Sequence, residues 1–67
     1  MKIQASFRGL YLGIEVDDRD EFIALNFDGC YLIEFDLQAM EVTGNAIDGG
    51  GNTLSFNPQE LIIQVEG

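Results

Sequence analysis

Residues 21–37 read EFIALNFDGCYLIEFDL, and the reading of this stretch decides the fold. Two runs rich in β-branched and aromatic residues, 21–27 and 30–37, flank the pair Asp28-Gly29. Aspartate and glycine tolerate positive φ, so an Asp-Gly pair between two such runs predicts a type I′ turn and a β-hairpin. A two-residue turn sets Phe27 opposite Cys30, Leu25 opposite Leu32 and Ile23 opposite Glu34. The other face then carries Ala24 opposite Ile33 and Phe22 opposite Phe35. Such a hairpin is largely apolar on both sides, which predicts a central position or burial against another chain.

The same period of two continues outward from the hairpin. Ile3, Ala5 and Phe7 alternate in residues 2–8, and Leu10, Leu12, Ile14 and Val16 alternate in residues 10–16. These segments predict two strands, or one long strand bent at Arg8-Gly9, where glycine permits a bulge or a bend. VDDRDE then forms a turn. QAMEVTG (38–44) suits either a short strand or one helical turn. NAIDGGGN (45–52) predicts a loop, because three consecutive glycines carry a high entropic cost in a regular element. TLSF (53–56) predicts a short strand. NPQE (57–60) has the capping pattern of a helix start, with Asn as cap and Pro in first position, leading into a final strand at 61–65. The expected fold is all-β: a small antiparallel sandwich or open barrel of six to seven short strands, in one domain over residues 1–67, with a central 22–37 hairpin.

Composition bounds the function. A chain of 67 residues has a thin core, and Cys30, its only cysteine, offers no intrachain disulfide. A homo-oligomer is therefore expected as an extra source of burial. A lone cysteine and the lack of a signal-like N-terminus point to the cytoplasm, and no apolar run is long enough for a membrane span. Twelve acids against three bases give a net charge of −9. Residues 1–14 carry Lys2 and Arg8 and no acid, a sum of +2. Residues 15–67 carry every acid and only Arg19, a sum of −11. That field disfavours direct contact with nucleic acid or anionic membranes and favours a basic protein partner or a cation.

The catalytic inventory is poor. The chain has no histidine, which removes Ser-His and Cys-His catalysis and histidine metal sites. A single cysteine builds no structural zinc site, no glycine-rich phosphate loop is present, and the sole lysine is Lys2. Carboxylates alone remain, in a chain too short for a sugar-binding cleft. We therefore nominate no catalytic residue, no metal ligand and no cofactor.

The acids themselves form the candidate site. Asp17, Asp18, Asp20 and Glu21 crowd the turn VDDRDEF, in a spacing that departs from a calcium loop, which needs alternating ligands and a central glycine. The cluster reads as a solvated turn, as a loose cation contact, or as a patch presenting carboxylates where phosphates would sit. Glu34 and Asp36 share one face of the second hairpin strand with Cys30 and Leu32, and Glu41 follows. Cys30 is expected as a small buried hydrophobe, and Tyr11 and Tyr31 as either contact anchors or core. The expected function is non-enzymatic. It is that of a small acidic binding or inhibitor protein, with Asp17, Asp18, Asp20, Glu21, Glu34, Asp36 and Glu41 occupying a basic, nucleic-acid-binding surface of a protein partner. The alternative is a structural or oligomerisation module that packs through a two-sided apolar hairpin.

Overall fold

The computed structural model describes residues 1–66. Six strands run in the order β1 (Lys2–Phe7), β2 (Leu10–Glu15), β3 (Phe22–Phe27), β4 (Tyr31–Asp36), β5 (Glu41–Asp48) and β6 (Leu61–Glu66). A 3-10 turn, Pro58–Glu60, precedes β6. The strands form two antiparallel three-stranded sheets, sheet I in the order β2-β1-β6 and sheet II in the order β3-β4-β5. The fold is all-β, and its two sheets stay open rather than closing into a barrel.

β1 and β2 are separate strands rather than one bent strand. Arg8 and Gly9 both take positive φ, 49° and 80°, as a tight two-residue hairpin turn requires. The register Phe7↔Leu10, Ala5↔Leu12, Ile3↔Ile14 places both alternating apolar sets on one face. That face packs toward sheet II. Ala5 and Phe7 from sheet I meet Leu25, Phe27, Ile33, Phe35 and Ala46 from sheet II in one buried cluster. Phe7 is its hub, with its ring centroid 5.0 Å from those of Tyr31 and Phe56 and 5.7 Å from that of Phe27.

The central hairpin corrects the expected register by one residue. Asp28 and Gly29 do take positive φ, 59° and 74°, and Cys30 N–H donates to the Phe27 carbonyl at 2.9 Å. The ladder nevertheless begins at Phe27↔Tyr31 and continues through Leu25↔Ile33 and Ile23↔Phe35, leaving Cys30 unpaired. A slip of one residue exchanges the faces of a strand. In the expected register the large apolar residues divide between two faces. In the observed one Ile23, Leu25, Phe27, Tyr31, Ile33 and Phe35 share the core face. The hairpin thus has one continuously apolar face and one mixed face, and Cys30 is exposed, not buried.

β5 contains residues 45–48, which the glycine run had suggested were loop. The register shifts from Phe35↔Val42 to Ile33↔Ala46, so Thr43, Gly44 and Asn45 together face Glu34. This bulge spans an even offset and keeps both Val42 and Ala46 facing the core, Ala46 buried and Val42 half-buried. The remaining loop closes on Asp48, whose Oδ1 accepts from Gly50 N–H at 2.9 Å and Asn52 N–H at 3.0 Å. Gly49 needs to be glycine here, because a Cβ would lie 3.0 Å from the Gly29 carbonyl oxygen. TLSF is not a strand. Thr53 forms an isolated bridge to Ile47, and Leu54 and Phe56 then cover the core as half-buried side chains of an irregular segment.

Candidate functional site

The seven predicted partner-binding acids fall into two groups around one end of sheet II. Asp17, Asp18 and Asp20 lie in the turn after β2, and Glu21 immediately precedes β3. The Glu21 carbonyl accepts from Leu37 N–H at 2.9 Å, which ties the exit of the turn to the end of β4. At that same end Phe22 pairs with Asp36, and Asp36 pairs with Glu41. Glu34 lies two residues further along β4, on the face it shares with Asp36.

The turn acids have structural work that was not apparent from the sequence. Asp17 Oδ1 accepts from Arg19 N–H at 2.9 Å, and Asp20 Oδ2 accepts from Asp17 N–H at 3.2 Å. The Asp17 carbonyl also accepts from Asp20 N–H. Asp18 lies 3.6 Å from the N-terminal ammonium, which itself donates to the Val16 carbonyl. These bonds order a turn rich in like charge. Among the described residues no group of three His, Cys, Asp or Glu side chains has metal-binding geometry.

The sheet acids form a mixed surface. The outer face of sheet II aligns Asn26, Leu32 and Ile47 in one row, and Phe22, Asp36 and Glu41 in another. Ala24 and Glu34 pair between these rows. Phe22 is 59% exposed and Ile47 40%. Glu34 accepts from Asn45 Nδ2 at 3.2 Å, and Asp36 Oδ1 accepts from the Gln38 and Ala39 N–H groups. The side chains of Glu21 and Glu41 make no hydrogen bond or ion pair among the described residues.

Three of the twelve acids form ion pairs among the described residues: Asp17, Asp18 and Glu60. The other nine have no cation beside them, and the negative field is largely uncompensated. The Arg8–Glu60 pair is the best built. Arg8 Nε donates to Glu60 Oε1 at 3.1 Å, and its terminal nitrogen reaches Oε2 at 3.4 Å and the Ser55 carbonyl at 3.5 Å. The guanidinium lies 4.9 Å from the Phe7 ring and 5.4 Å from the Tyr31 ring. Tyr31 is therefore a half-buried core contact, whereas Tyr11 stands 84% exposed. Sequence reading took Arg8 as a charge and as half of a possible bend at Arg8-Gly9. Its partner is 52 residues away and becomes visible only when β1 and β6 pair.

Glu60 also closes a capping box, accepting from Asn57 N–H while Asn57 Oδ1 accepts from Gln59 N–H. The Arg8 hydrogen bond, followed by that backbone bond, lowers the Glu60 pKa. A carboxylate with a lowered folded pKa contributes stability above its unfolded value, about 4.3 for glutamate, and loses it as pH falls through the folded value. Stability is therefore expected to drop on acidification below the ordinary glutamate range. Glu60→Gln should flatten that part of the profile in urea titrations followed by circular dichroism. An unchanged acid limb in Glu60→Gln would refute the assignment.

Comparison with known proteins adds no relative: no family model, curated protein or solved structure matches this chain. Function must be argued from the surface itself.

Proposed function

We propose that the chain is a non-enzymatic acidic binding protein that occupies a basic, nucleic-acid-binding surface of a protein partner. Carboxylates stand where the partner would otherwise hold phosphates. Support comes from one observation above the rest: acids without an ion-pair partner among the described residues, Asp20 and Glu21 at the turn and Glu34, Asp36 and Glu41 on sheet II, are gathered beside the exposed Phe22 and Ile47. Glu21, Glu34, Asp36 and Glu41 offer charge to Arg and Lys, and exposed Phe22 and Ile47, with half-buried Leu32, offer an apolar footing. Charge of one sign steers encounter and sets specificity, while the apolar contacts slow dissociation. The turn acids Asp17, Asp18 and Asp20 keep free oxygen lone pairs after holding the turn. The reading places the protein in the cytoplasm, where exposed Cys30 stays reduced. No helix is long and apolar enough to cross a membrane among the described residues.

The test is capture on immobilised protein, eluted with rising salt and then with duplex DNA. Nucleic-acid-binding proteins are expected on the column, released both by salt and by DNA competing for the same Arg and Lys side chains. Neutralising Glu21, Glu34 and Glu41 to Gln and Asp36 to Asn should weaken capture by about tenfold or more. A second set, Asp17, Asp18 and Asp20 to Asn, keeps the acceptor oxygens that hold the turn and isolates its charge. Retention that survives high salt, or that DNA fails to displace, would remove charge mimicry.

A further inference from the structure

We propose that the chain pairs with a second copy of itself through β6, edge to edge and antiparallel, merging two copies of sheet I into one six-stranded sheet. This surface is distinct from the acidic end of sheet II and does not rest on it.

The two sheets have four edge strands: β2, β3, β5 and β6. β2 and β3 lie alongside one another. β5 is interrupted by the bulge at residues 43–45, and one end of it is bridged by Thr53. β6 alone has none of these protections. Its sequence LIIQVE contains no Pro, Gly or Lys, and its register with β1 is unbroken over six pairs. Natural sheets blunt exposed edges with such devices, and a flat apolar edge without them is a template for another strand.

The strand is also complementary to itself. In an antiparallel pair centred on Ile63, Leu61 lies opposite the partner's Val65, and Ile63 lies opposite the partner's Ile63. These residues share the core-side face of β6, and Val65 is 45% exposed in a single copy. On the outer face Ile62, 55% exposed, lies opposite the partner's Gln64. A two-fold axis requires such matching of a surface with itself.

In this register Glu60 lies opposite the partner's Glu66, and Arg8, which pairs with Glu60, stands beside that like-charged pair. Glu66 is the ladder neighbour of Lys2, and Glu60 holds Arg8. Of these two acids Glu60 alone has an ion-pair partner among the described residues. Arg8 and Lys2 offset that repulsion in part, and the apolar matches of Leu61, Ile63 and Val65 carry the pairing.

Sedimentation velocity from low micromolar to millimolar protein tests the pairing. The expected result is reversible dimerisation that persists in high salt and is lost in Val65→Lys, which places a charge at the edge. Circular dichroism of that variant must show the same strand content. Register is read by disulfide formation in a Cys30→Ser background. Ile63→Cys should cross-link to its own copy faster than Ile62→Cys or Gln64→Cys. A wild-type chain that stays monomeric throughout, a dimer indifferent to Val65→Lys, or cross-linking without preference for position 63 would each overturn the proposal. Capture of basic proteins by sheet II is independent of all three outcomes.

Discussion

Phe7→Ala is expected to abolish cooperative folding. Phe7 is 1% exposed and touches aromatic rings from β3, β4 and the segment before the 3-10 turn. Removing a buried phenylalanine costs about 3–5 kcal/mol, part lost transfer and part cavity. A domain of this size has about 3–5 kcal/mol in total from its core. The ring also carries the Arg8 guanidinium on one side, so its loss loosens the clamp between the β1–β2 turn and Glu60. Urea titration by circular dichroism, with amide dispersion in NMR spectra, reads the result. A sigmoidal transition displaced by less than about 1 kcal/mol would show that the sheets repack around the gap.

The second large effect is a contrast between neighbours. Ile33→Asp should unfold the chain, and Leu32→Asp should leave it folded. Ile33 has no exposed surface and pairs with Leu25, itself fully buried. An unpaired carboxylate there would lose the apolar contacts and remain without a cation, at several kcal/mol. Leu32 lies on the outer face between Asn26 and Ile47. Its replacement should change stability by about 1 kcal/mol or less. The pair tests the hairpin register directly. The two-residue register would set Leu32, not Ile33, opposite Leu25. Equal damage from both substitutions would mean that both faces of β4 are core.

That register marks the limit of what was legible in the sequence. The period of two located β1, β2, β3, β4 and β6, because each alternating apolar set must find one buried face, and it left β5 undecided. The Asp28-Gly29 turn was legible from its positive φ, but not the extra residue after it. Turn chemistry permits either register, and the choice is made by sheet I, which accepts one apolar face and not two. β5 was obscured for a related reason. VTGNAID loses its alternation at a bulge, and the bulge is defined by Glu34 on another strand. At the candidate site, the acidic residues were legible as composition. Their grouping at one end of sheet II depends on the pairs Phe22↔Asp36 and Asp36↔Glu41, and Arg8 on its pairing with Glu60 across most of the chain.

The position of β1 has a consequence for how the molecule comes into being. β1 is central in sheet I, and one of its two neighbours is β6. Lys2 therefore pairs with Glu66, whereas all of sheet II is built from strands adjacent in sequence. Contacts of such long sequence separation are entropically late, since the loop must close before they form. During synthesis the β3–β5 meander can assemble as it emerges, while β1 waits for β6. Until β6 arrives, Ile3, Ala5 and Phe7 have a ladder on one side only. The interval of greatest risk from proteases and from stray strand pairing thus lasts until β6 has been made.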